Sequence, residues 1–127
     1  MPDSKATISS MQRFNVTERD LQPGCRDIQV EGELDLAVAG QLDEVLTSAV
    51  AECSRVLVGL GNCEFIDSSG IAVLLRASGR MEGEGRFALY APTAQVLRVL
   101  TMTGLIGNGL VFDSAEEALA ALADGAS

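Results

Sequence analysis

The sequence predicts an α/β domain: a mixed, mostly parallel sheet of about five strands with about four helices, in the order β-β-α-β-α-β-α-β-α. Three observations predict it. The apolar pattern switches along the chain between a period of two and a period of about 3.6 residues. A short apolar run, Arg55 to Leu60, has the composition of an interior strand buried on both faces. Strands joined through helices must pair in parallel, with right-handed crossovers. The chain has 127 residues, which suits one domain, expected over residues 13–123 with flexible termini at 1–12 and 124–127. Apolar residues make up 47% and aromatics only 4%, so Val, Leu, Ile and Ala must build the core.

The elements follow in order. Phe14 to Arg19 reads as a modest strand with Phe14 and Val16 on one face, and Gln22-Pro23-Gly24 as a turn. In Arg26 to Leu34, Ile28, Val30, Gly32 and Leu34 alternate with Asp27, Gln29, Glu31 and Glu33, the pattern of a strand with one buried and one wet face. These two strands form an antiparallel pair, and the wet face predicts helices mainly on one side of the sheet. From Ala37 to Cys53 the period becomes helical, with Val38, Leu42, Val45, Leu46 and Ala49 on one face. After the strand at 55–60, a second helix starts near Ser68 and is expected to turn Ile71, Leu74, Leu75 and Ser78 inward. Phe87 to Tyr90 is a strand. Thr93 caps a helix carrying Val96, Val99 and Leu100 inward, and Gly104 ends it. Leu110 to Phe112 is a short last strand. Ser114-Ala-Glu-Glu117 is a capping box opening a helix that runs through Leu122.

Composition excludes several functions. Nine basic and 18 acidic residues give a net charge of −9, which offers no footprint for nucleic acid or an anionic membrane and suits a basic partner groove. The absence of His removes the commonest general base and metal ligand. No signal segment or membrane helix is visible, so the expected location is the cytoplasm. Cys25, Cys53 and Cys63 form no CxxC pair; they read as buried or half-buried thiols, with a redox role as the other reading.

One stretch, Gly61 to Gly70, does not read as core. It joins the 55–60 strand to the second helix, at the carboxyl edge of the sheet where functional groups gather. Asp67, Ser68 and Ser69 stand where helix amides are unpaired and the dipole is positive, a place that favours an added phosphate. The ordinary reading is that Asp67 and the serines simply cap the helix. There is no GxxxxGK[ST] and no GxSxG. Asp35, closing the second strand, is expected at the same edge, either as a cap or paired with Asp67 around a hydroxyl or cation. On the second helix, Val73, Arg76, Ala77 and Arg80 are expected outward as an apolar strip with arginines beside it, a candidate partner surface.

These landmarks carry a resemblance. Gly32-Glu-Leu-Asp35, Phe65-Ile-Asp-Ser-Ser-Gly-Ile71, Ala91-Pro-Thr93, Arg98 to Leu105 and the acid-capped last helix occur in order. Together they resemble the STAS family, most closely its stand-alone bacterial anti-sigma factor antagonists, from about Phe14 to Leu122. The resemblance implies a non-enzymatic regulator with no cofactor, metal or catalytic residue. Such a protein binds an anti-sigma factor that is also a GHKL-type serine kinase and so frees a sigma factor. It implies Ser69 as phosphoacceptor, with Asp35, Asp67, Ser68 and Gly70 around it, and a PP2C-type phosphatase to restore the protein. Gly59, Gly61 and Cys63 depart from the family pattern, with Cys63 expected in the loop. The competing readings are a STAS accessory subunit of a lipid-transporting ABC complex or another signalling assembly, without a phosphate switch, and a small enzyme or nucleotide binder using Asp35, Asp67 and Ser69.

Overall fold

The computed structural model describes residues 14–81, 86–103 and 110–124. The elements are β1 (Phe14–Gln22), β2 (Cys25–Leu34), α1 (Leu36–Glu52), β3 (Arg55–Ile66), α2 (Ser68–Arg80), β4 (Arg86–Tyr90), α3 (Ala94–Met102), β5 (Val111–Phe112) and α4 (Ala115–Asp124). They reproduce the predicted order. The expected end of α3 at Gly104 lies outside the described residues, as do residues 1–12 and 125–127; Asp124, expected in the tail, is the last residue of α4.

The sheet runs β1-β2-β3-β4-β5. Only the β1–β2 pair is antiparallel, because Pro23-Gly24 is too short a link for a crossover. Each later strand is reached through a helix and pairs in parallel. One sheet face, with Ile28, Val30, Leu34, Val56, Val58 and Leu60, packs on Leu42 and Leu46 of α1, Leu74 of α2, and Val96 and Leu100 of α3. Among the described residues, α4 is the helix on the other face, with Ala118 and Leu122 against Cys25, Leu57, Ala88 and Tyr90. Helices therefore do lie mainly on one side. Thr93 caps α3, accepting from the Val96 amide at 3.3 Å. Ser114 accepts from the Glu117 amide at 3.2 Å, while the Glu117 carboxylate takes the Asp113 amide at 3.3 Å, one residue before the cap.

Two features differ from expectation. First, β3 extends six residues beyond Leu60, to Ile66. Its partner β2 continues to Leu34, and the pairing passes through two irregularities, between Gln29 and Glu31 and between Gly32 and Glu33, each placing an extra residue on β3. Bulges break the period of two, so Gly61 and Asn62 are exposed together, as are Glu64 and Phe65, and the segment looks like a loop in sequence. Second, Asp27 is not wet: it is only 3% exposed. Gln29, Gly59 and Tyr90 lie abreast on β2, β3 and β4. A Cβ on Gly59 would fall 2.6 Å from Gln29 Nε2 and 2.8 Å from Tyr90 Cζ, so the missing side chain lets these two groups meet over the strand. The Tyr90 hydroxyl donates to Asp27 Oδ1 at 2.8 Å and accepts from the Gln29 amide, which also donates to Asp27 Oδ2 at 3.1 Å. Arg19 Nη2 stands 3.6 Å from Asp27 Oδ2.

Tyr90 is the only tyrosine in a chain without tryptophan, which gives this network its own spectroscopic signal. Burial, and the bond to Asp27, push its phenol up to about 12, against an ordinary value of about 10. The unfolded chain thus loses this proton first, so the stability contributed by the neutral phenol is complete below pH ~10 and is lost as pH rises towards ~12. Phenolate absorbance should titrate at that high pH in the native protein and shift down in Asp27→Asn. A native midpoint near 10 would contradict the network.

Candidate functional site at the carboxyl edge

The strands β2 and β3 end level, with Leu34 beside Ile66, and the Asp67 amide donates to the Leu34 carbonyl at 3.2 Å. Each strand is followed at once by an aspartate that caps the next helix. Asp35 Oδ1 accepts from the Ala37 amide at 3.0 Å. Asp67 Oδ1 accepts from the Ser69 amide at 2.9 Å and the Gly70 amide at 3.2 Å. Asp35 and Asp67 therefore stand on neighbouring turns of one edge, as expected, and both act as caps. Among the described residues no group of three or more His, Cys, Asp or Glu is arranged to hold a metal ion.

Ser68 is exposed and Ser69 half-buried in the first turn of α2. Gly70 is buried because there is no room for more: a Cβ would lie 2.6 Å from Leu34 Cγ and 2.9 Å from Ile66 Cγ1. This contact seats the start of the helix directly on the ends of β2 and β3. The Asp67 cap means that the amides of Ser69 and Gly70 already hold a carboxylate. A phosphate on Ser69 would meet Asp67 as a competitor for them and as a like charge.

The outward face of α2 is not the one expected. Val73 and Ala77 are 2% and 1% exposed, whereas Leu75 is 46% exposed. The buried stripe is Gly70, Val73, Leu74 and Ala77, with Ile71 at its margin, which turns the helix by one residue step, about 100°, from the orientation read in sequence. Ile71 and Leu74 fit both orientations, and the close seat of Gly70 selects between them. Arg76 and Arg80 are on the surface but face α1: Arg76 Nη2 lies 3.4 Å from Asp43 Oδ1, and Arg80 Nη1 donates to Thr47 Oγ1 at 2.8 Å. Sequence reasoning missed Leu36, 76% exposed at the start of α1. Its signal was available: a leucine directly after a capping aspartate, outside the stripe of Val38, Leu42, Leu46 and Ala49.

The three thiols are free, with Cys25 and Cys63 buried and Cys53 half-buried. Cys63 lies within β3 rather than in a loop, its Sγ 3.4 Å from the Phe65 carbonyl. Burial pushes all three thiols up, which lowers the thiolate fraction that redox chemistry requires. Thr93, besides capping α3, donates to the Cys63 carbonyl at 3.3 Å and so ties the α3 start to the extended part of β3.

A mixed, mostly parallel sheet with an Asp-Ser-Ser-Gly helix start at its carboxyl edge is the class that fold and site define. A family profile described as "Mlab, STAS domain" matches residues 17–112, and the chain belongs to the STAS-domain family. It is 30% identical over 110 residues to the anti-sigma F factor antagonist of Paenibacillus polymyxa, covering 83% of this chain and 92% of that protein. It is 27% identical over 119 residues to the anti-sigma-F factor antagonist RsfB of Mycobacterium tuberculosis, covering 93% of this chain and 97% of that one. The crystal structure of an anti-sigma factor antagonist from Mycobacterium paratuberculosis superposes with a TM-score of 0.79 at 25% identity, over 87% of this chain and 95% of that chain. No helix among the described residues is long and apolar enough to cross a membrane.

Proposed function

We propose that this chain is an anti-sigma factor antagonist of the cytoplasm, a binding regulator and not an enzyme. It engages an anti-sigma factor through the carboxyl edge of the sheet and the start of α2, and in doing so frees a sigma factor. The observation that carries the reading is Ser69, presented in the first turn of α2 beside the capping Asp67, on a chain matched nearly end to end by relatives named as such antagonists. The partner is of the GHKL serine-kinase type and transfers a phosphoryl group to Ser69 Oγ; a PP2C-type phosphatase removes it.

The chemistry suits such a switch. Acceptance of a phosphoryl group from a partner kinase requires no base, metal or cofactor in the acceptor protein. A phosphoserine adds about −1.5 to −2 charges. Asp67 stands at the same helix turn and Asp35 on the next loop, so in a closed interface the added charge is opposed by repulsion and by loss of water. Asp67 already caps α2, so the domain keeps its fold in either state and the switch stays local.

The test is incubation with the cognate kinase and ATP, then peptide mass spectrometry. The expected result is one phosphate, on Ser69, absent in Ser69→Ala. Binding to the kinase with no phosphate transferred to Ser69 in the presence of ATP would overturn the switch and favour an accessory-subunit role instead.

A further inference from the structure

Among the described residues, the outward faces of α1 and α2 carry two exposed leucines, Leu36 at 76% and Leu75 at 46% exposure. Their place relative to Ser69 follows from the helix register. Asp43 faces Arg76 and Thr47 faces Arg80, each pair 33 residues apart. The Leu34 carbonyl and the Asp67 amide keep the same spacing at the strand ends. Two parallel helices in constant register place Leu36 level with Ser69, one helix across. On α2 itself, Leu75 is seven residues beyond Ser68 and so lies on the same side of the helix, two turns on. The serine turn is thus flanked by apolar side chains across the helix pair and along it.

The charges around this surface are of one sign at its exposed end. Asp35 and Asp67 stand at the two helix starts, while Arg76 and Arg80 are held back against Asp43 and Thr47. A partner that covers Leu36 therefore meets the Asp35 and Asp67 carboxylates beside it, whereas at Leu75 it meets Arg76, half exposed and paired with Asp43. We propose that Leu36 and Leu75 are the apolar anchors of the interface around Ser69, and that the partner face they enter is apolar with a basic rim on the Leu36 side. This rests on the antagonist reading and names the residues that would carry its affinity. An apolar anchor in a desolvated pocket supplies a large share of binding energy, and a charged rim sets orientation and encounter rate.

The test measures affinity by calorimetry between the full chain and the purified anti-sigma factor of the same organism. Leu36→Ser and Leu75→Ser are each expected to weaken binding by roughly tenfold or more, with the thermal midpoint unchanged for Leu36→Ser and lowered only by about a few degrees for Leu75→Ser, whose side chain is half covered. Leu97→Ser, at a leucine 40% exposed on α3, serves as the control and should bind like the parent chain. Affinity of the parent should also fall with added salt. Parent-like binding by both Leu36→Ser and Leu75→Ser, with release still produced by phosphorylation, would overturn this inference and leave the antagonist reading standing. Loss as large in Leu97→Ser would overturn it as well. No binding by the parent chain would overturn both.

Discussion

Gly70→Val should lower stability by about 2–3 kcal/mol, or roughly 10 °C in thermal midpoint. The added Cβ would be built 2.6 Å from Leu34 Cγ and 2.9 Å from Ile66 Cγ1. Leu34 is fully buried and Ile66 nearly so, so neither can swing into solvent. The clash must be relieved by lifting the first turn of α2 from the strand ends. Gly70→Ala meets the same clash with less bulk and regains about 1 kcal/mol of helix propensity, so its loss should be smaller. Thermal denaturation of the three proteins tests the order. Equal midpoints for Gly70→Val and the parent would contradict the close seat that positions Ser69.

Ser69→Glu should weaken binding to the anti-sigma factor by about a hundredfold, whereas Ser69→Ala should stay within a few-fold of the parent. Two unit charges about 4 Å apart repel by ~4 kcal/mol at an effective dielectric of 20. In the free chain water screens the same pair to ~1 kcal/mol, so closing the interface adds ~3 kcal/mol, and a hundredfold corresponds to about 2.7 kcal/mol. Removing the hydroxyl alone leaves the Asp67 cap and the surrounding surface in place. Neither variant should unfold the domain. Ser69 is only half-buried in the free chain, so water screens the added charge from Asp67 and the helix dipole offsets part of the remainder. Calorimetry reads both variants. Equal affinity of the two would show that charge at this position does not govern association.

Much of this was legible in the sequence, for identifiable reasons. The alternation in β2, the helical stripe of α1 and the caps at Asp35, Asp67, Thr93 and Ser114 are local signals, and local signals fix element type and order. The candidate edge was legible because each aspartate directly follows a strand. Three features depended on tertiary contacts instead. The bulges that carry β3 to Ile66 are set by pairing with β2, and they erase the period of two that would announce the strand. Asp27 looks like a solvent-facing residue until Tyr90, 63 residues away, reaches it across Gly59. The orientation of α2 was ambiguous by one residue step because Ile71 and Leu74 serve either face; the space available at Gly70 decides it. That one step moved Val73 and Ala77 into the core and Leu75 out to the surface, and with it moved the candidate interface.

The most direct measurement compares the affinity of the anti-sigma factor for this chain before and after its kinase has placed one phosphate on Ser69. The account predicts a tight complex with the unmodified chain, loss of that complex on phosphorylation, and recovery after treatment with a PP2C-type phosphatase. Equal affinity of the phosphorylated and unmodified chains would contradict it.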